Sequence, residues 1–155
     1  MSYANDFTGK LEDTARDYLR TSKDAGNLSA FARNQILAGI DDEDVNLPRV
    51  VCICDSARIE ENFDANWNGE LEVKVIASAE DTTREEFRDM CGEVFAHFFQ
   101  LPVDNLTNLS SSEHEFTAQA VYARRQEKNL VATDQDTRWE KSLFLEVHGC
   151  GSVVA

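Results

Sequence analysis

Four cysteines and three histidines are the residues of this chain best suited to metal or nucleophile chemistry. Cys52 and Cys54 stand at i, i+2 spacing, which on a strand puts both thiols on one face; Glu146, His148 and Cys150 share a face of a second strand by the same rule. Were those strands neighbours, Cys52, Cys54, His148 and Cys150 would converge as a tetrahedral zinc site. Cys-x-Cys lacks the spacing of a zinc knuckle, however, and free cysteine is among the most buried residue types. Core filling is the simpler expectation, with no metal and no cofactor. A Cys–His hydrolase needs a nucleophile beside a base that a third group orients. His97 lies six residues beyond Cys91 and points to another face of the same predicted helix. His114, between Glu113 and Glu115 in a Ser-rich loop, reads as a surface residue.

Other catalytic signatures are missing. There is no GxxxxGKS/T or GxGxxG phosphate cradle and no GxSxG nucleophile elbow. Gly149-Cys150-Gly151 has no helix after it to complete a nucleotide loop. Asp134-x-Asp136 falls in a polar hairpin tip, where side-chain-to-backbone hydrogen bonds of a turn are the economical role. The run Asp41, Asp42, Glu43, Asp44 lacks the alternating ligands and central Gly of a calcium loop and reads as a solvated acidic loop. Trp67 and Trp139 have the rings to stack a base or sugar, yet core or interface anchoring is simpler. Arg124-Arg125 in so acidic a chain is a candidate for pairing across a subunit boundary, against the alternative of a solvated pair. The expectation is therefore a protein without catalysis, with Trp67, Arg124, Arg125 and the acidic loop as interface candidates.

The elements that must hold these residues begin with an amphipathic helix over Asp6 to Ser22, with Phe7, Leu11, Ala15, Tyr18 and Leu19 on one stripe. Asn5 or Asp6 offers its cap and Gly26 its end. Leu28 to Ile40 reads either as a short helix followed by a strand or as mostly extended. Pro48 opens a strand whose Val50-Val51-Cys52-Ile53-Cys54 run predicts burial on both faces. Asn68-Gly69 supplies turn chemistry after a connector from Glu60 to Asn68, and Glu70 to Val75 alternates cleanly. Thr82-x-x-Glu85 and Thr83-x-x-Glu86 both have capping-box spacing ahead of a stripe from Phe87 to Leu101, stopped by Pro102. Asp104 to Glu115 reads as a loop. Thr117 to Arg125 and Arg138 to His148 read as strands, with Gln126 to Thr137 a polar tip between them and Gly149 to Ala155 a tail able to order on assembly. The order α-(β)-ββ-α-ββ predicts an α+β fold, one mostly antiparallel sheet with two main helices packed on it.

The 155 residues fit one domain, and nine Phe with two Trp supply a core. Fifteen Lys plus Arg against 29 Asp plus Glu leave a net charge of −14, which disfavours binding to phosphate backbones and anionic membranes. No apolar run reaches the length of a membrane span, the N-terminus lacks the features of a signal peptide, and the cysteines are too sparse for a disulfide scaffold. These features predict a soluble protein of a reducing cytoplasm.

The layout resembles the tail terminator and head–tail joining proteins of long-tailed bacteriophages. The likeness rests on several segments: the amphipathic first helix ending near Leu19, Leu47-Pro48-Arg49-Val50-Val51 entering an apolar strand, and Asn66-Trp67 before an alternating strand. It rests also on Ala79-Glu80-Asp81-Thr82-Thr83 opening a helix and on Trp139 at the start of the last strand. It extends from about Asp6 to His148. The resemblance implies a homohexameric ring that caps the tail tube, contacts a head connector, and lets DNA pass through its lumen without specific binding. It would place Glu60 to Asn68 and Gln126 to Thr137 at contacts between rings, Asp41 to Asp44 at the lumen or a docking face, and the protein in the virion. Two alternatives stand beside it: a head-completion or neck adaptor of the same particle, and a small zinc- or cysteine-dependent enzyme.

Overall fold

The computed structural model describes residues 6–60, 63–99, 109–114, 116–132 and 137–151, with backbone alone at 59–60, 63–66, 132 and 150–151. Helix α1 spans Phe7–Asp24. Its start is fixed by Asp6, whose carboxylate accepts the Gly9 N–H at 3.0 Å, the N-cap bond that satisfies a donor the first turn leaves free. Phe7, Leu11, Ala15 and Leu19 are buried on one stripe. Gly26 follows the helix at φ 86°, the left-handed conformation that ends helices without a Cβ penalty.

Leu28 to Ile40 resolves into a short 3-10 turn, Arg33–Gln35, and strand β1, Ile36–Ala38. Strand β2, Arg49–Glu60, and strand β3, Phe63–Ser78, form a long antiparallel hairpin. Most of the connector expected at Glu60 to Asn68 is therefore strand, with Asn68-Gly69 inside β3 rather than at a turn. Pairing continues past the alternating segment because Trp67, Asn68 and Gly69 have partners on both sides, in β2 and in the last strand. Gly69 is needed for space: a Cβ there would stand 3.2 Å from Cys54 Sγ and 3.3 Å from Phe7.

Helix α2 spans Arg84–Phe99. Of the two predicted capping boxes the Thr83 one forms, with Thr83 Oγ1 accepting the Glu86 N–H at 3.1 Å and Glu86 accepting the Thr83 N–H at 3.3 Å. Pro102 and Asp104 to Asn108 lie outside the described residues. Strand β4, Phe116–Ala132, and strand β5, Thr137–Gly151, make a second hairpin. Gln126 to Ala132 is thus strand and not a loop, because it continues to pair with Thr137 to Leu143. Asp134 and Asp136 lie outside the described residues. Gly149 to Gly151 is likewise strand, not tail, paired with Phe116, Thr117 and Ala118.

The result is an α+β fold with a five-stranded sheet in the order β1-β2-β3-β5-β4, parallel only between β1 and β2. Both helices lie on the same side. Val50, Cys52, Val73, Val75, Leu143, Leu145 and Val147 face them and join their buried stripes in one core. Alternate residues of the same strands look to the opposite, helix-free face. The apolar β2 run obeys the expectation of two-sided burial: Val50 and Cys52 point into the core, and Val51 is buried on the other face.

Candidate interaction surface

The helix-free face takes its chemistry from the polar positions of β3, β4 and β5. In β3, Glu70, Glu72 and Lys74 alternate outward; in β5, Glu140, Ser142, Phe144, Glu146 and His148 do so. Opposite charges interleave across the ladder. Lys74 Nζ lies 3.7 Å from Glu140 and 4.0 Å from Glu72, and the Ser142 hydroxyl donates to Glu72 at 2.6 Å. Val51, Ile76 and Phe144 are buried among them, so the panel has apolar patches under a charged lattice.

Arg124 and Arg125 owe their position to a β-bulge. The β4–β5 register shifts by one between Ala123 and Arg125, leaving Arg124 as the extra residue. Arg125 lies over the Phe144 ring, 4.0 Å from its centroid, and reaches Glu70 at 3.6 Å and Glu127 at 3.2 Å. Arg124 pairs with Glu146 and lies 5.1 Å over Tyr122. Both arginines therefore serve the same face, which strict alternation would forbid. His148 Nε2 is 3.3 Å from Glu146 and meets Tyr122 edge-on at 5.7 Å. The hydrogen bond from Arg124, then that from His148, holds the Glu146 carboxyl below the usual carboxylate range. Arg58, Glu70, Arg124 and Glu146 border a shallow hollow of about 250 Å3 on this panel.

Each residue of the acidic loop has its own place. Asp41 pairs with the Arg49 guanidinium, whose Nη1 also donates to the Val45 carbonyl at 3.0 Å; Arg49 is 2% exposed, so it pins the loop from beneath. Asp42 closes the turn by accepting the Asp44 N–H at 3.0 Å. Glu43 reaches Arg138 at 3.4 Å, and Asp44 is exposed. Trp67, by contrast, is packed against the core, stacked on Phe7 with ring centroids 5.0 Å apart and planes 12° off parallel. The stack makes it a core anchor that stays partly exposed.

The four candidate zinc ligands do not converge. β3 separates β2 from β5. Cys52 and Cys54 point into the core, while His148 stands on the opposite face. Burial pushes both thiols up to about 12, which leaves them protonated and poor ligands. Cys150 pairs through its backbone with Asn66 and Thr117. The backbone of Cys54 ties the sheet to the first helix. The β2–β3 bulge after Ile53 breaks the ladder there, and Glu12 of α1 accepts the Cys54 N–H at 2.9 Å. Burial raises the Glu12 carboxyl despite that bond.

Two histidine contacts were not legible in the sequence, because their partners are 75 and 97 residues away. His97 Nε2 is 2.6 Å from Ser22 Oγ, and its Nδ1 donates to the Glu93 carbonyl at 2.7 Å. This is the spacing of a serine–base pair, but Tyr18 donates to the His97 carbonyl at 2.7 Å in the same seam. The contacts dock α2 on α1, and the hollow beside Glu146 does not border them. His114 is buried rather than superficial, with Nε2 2.6 Å from Asp17 Oδ2. Burial raises the Asp17 carboxyl, but the His114 hydrogen bond and then Arg16 outweigh it, and the net shift is downward. Asp17, Glu113 and His114 offer three ligand atoms within 4.8 Å of one another, yet the Arg16 guanidinium, 3.0 Å from Asp17, already supplies the positive charge there. No helix among the described residues is long and apolar enough to cross a membrane. No protein-family model matches this sequence, and no curated protein does.

Proposed function

We propose that this chain is a structural, ring-forming subunit of a long-tailed bacteriophage particle, the tail terminator that caps the tail tube and joins the tail to the head connector. The observation that carries this reading is the one-sided packing of the sheet. Both helices cover one face, and the other is a broad panel of interleaved opposite charges on strands of 12 to 17 residues. A panel of that kind suits repeated contact with copies of itself and with stacked rings, where alternating charge fixes register and excludes wrong partners. A net charge of −14 suits a lumen through which DNA slides without being gripped. In this reading the protein acts by assembly in the virion, without cofactor or catalysis.

Native mass spectrometry of the purified protein, alone and mixed with tail tubes, tests it. A hexamer alone, or one that forms on tube ends, is the expected result. A protein that stays monomeric under both conditions sinks the reading. Rings that bind the isolated head connector but ignore tube ends would reassign the chain to a head-completion adaptor. The variant Arg124→Glu with Arg125→Glu should stay folded and weaken assembly at low salt.

A further inference from the structure

On the helix-covered side, a second hollow of about 300 Å3 lies between the start of α2 and the far part of the β4–β5 hairpin, lined by Arg84, Phe87, Arg88, Lys128, Trp139 and Lys141. Its composition follows from register. Lys128 pairs with Lys141 across the ladder, Trp139 is the next residue of that face, and the i, i+3, i+4 set Arg84, Phe87 and Arg88 looks down from the first turns of the helix. Phe87 stacks on Trp139, centroids 6.1 Å apart and planes 24° off parallel, forming an aromatic floor. Around it stand four of the chain's fifteen Lys and Arg residues. None of the four forms an ion pair with a described residue, although the chain has 29 carboxylates. Trp139 Nε1 is also buried without a hydrogen-bond acceptor. Four cationic side chains around an aromatic floor suit an anionic group with acceptor oxygens.

We propose that this hollow receives the Glu43 and Asp44 carboxylates of a second copy of this chain, an inference that rests on the ring reading above. Asp41 and Asp42 are committed within their own loop, to Arg49 and to the Asp44 N–H. Glu43, 73% exposed although it touches Arg138 at 3.4 Å, and the exposed Asp44 are the acids the loop turns outward. Loop and hollow lie at the same end of the sheet but on opposite faces. Glu43 reaches Arg138, while the next residue, Trp139, turns to the helix side. The sheet therefore stands between them in one copy, and only a neighbour can bring them together. Joining one face of a subunit to the other face of the next is a heterologous contact, the kind that closes into rings.

A charge swap tests the contact, with assembly read by analytical ultracentrifugation in the presence of tail tubes and folding checked by circular dichroism. Arg88→Glu with Lys128→Glu, and separately Glu43→Lys with Asp44→Lys, should each weaken assembly about tenfold or more. The variant carrying all four changes should recover to within a few fold of the parent, and the parent's assembly should weaken with added salt. Folded charge variants that assemble like the parent, or a fourfold variant that fails to recover, overturn this contact while leaving the ring itself in place. Stoichiometric uptake of inorganic phosphate that persists in Glu43→Lys with Asp44→Lys, measured by calorimetry, assigns the hollow to a small anion instead and also overturns it. A parent protein that stays monomeric with tubes removes the ring reading and this contact with it.

Discussion

Cys52 and Cys54 sit at i, i+2 on a strand, and the spacing that recommends them as ligands is the same spacing that turns both into the core beneath α1. Their thiols, and that of Cys91, are raised to about 12 by burial. Alkylation of the native protein at pH 8 should leave Cys52, Cys54 and Cys91 unmodified in a peptide map, and denaturant should expose all three; native labelling of Cys52 would contradict the core assignment. Asp17 carries a pH signature. Its folded carboxyl titrates below the unfolded value near 3.9. The stabilisation is therefore complete above about pH 4 and is lost as the pH falls through the folded value. Asp17→Asn should cost about 1 kcal/mol at neutral pH, discounted for solvent screening, and should flatten the acid limb of a melting-temperature profile. An unchanged acid limb would assign the acid sensitivity to other carboxylates.

Among the elements, α2 depends on a cap that has a measurable size. Thr83→Ala removes the Oγ1 acceptor of the Glu86 N–H and should cost about 1 kcal/mol in urea unfolding, with an unchanged m value. Helix ends of this kind were legible because caps and stripes are local: Asp6, Gly26 and the Phe87 stripe all stand where their spacing put them. Strand ends were not. Trp67 to Gly69 and Gln126 to Ala132 are polar or turn-prone, and they stay extended because neighbouring strands pair with them. Trp67 was legible as an anchor but not as an anchor for Phe7, sixty residues away. The basic hollow was hidden for the same reason: Arg84 and Lys128 belong to elements that only the sheet brings together.

At the scale of the whole molecule, Arg49 joins the acidic loop to the sheet. It is almost fully buried, with Asp41 and the Val45 carbonyl as partners and Nη2 unpaired. Asp41→Ala would leave that guanidinium without its counter-charge, at a cost of about 2–4 kcal/mol in thermal unfolding. The loop should loosen with it, seen as faster amide exchange at Asp42 to Asn46, and unchanged exchange would show that Asp41 is dispensable. β4 has a further consequence. Its register against β5 slips by one residue at Gln119 and again at Arg124. Two slips of one make a whole pleat, so the strand's two ends share a phase and only the stretch between them is out of step. Deleting Arg124 alone should therefore remove the bulge and leave every other residue of β4 on its own face, because Ala123 and Arg125 already pair with the consecutive residues Leu145 and Phe144. Deleting Gln119 as well should give a β4 free of bulges whose pairs with β5 are unchanged, and a doubly deleted protein that fails to fold would show that the bulges themselves are required.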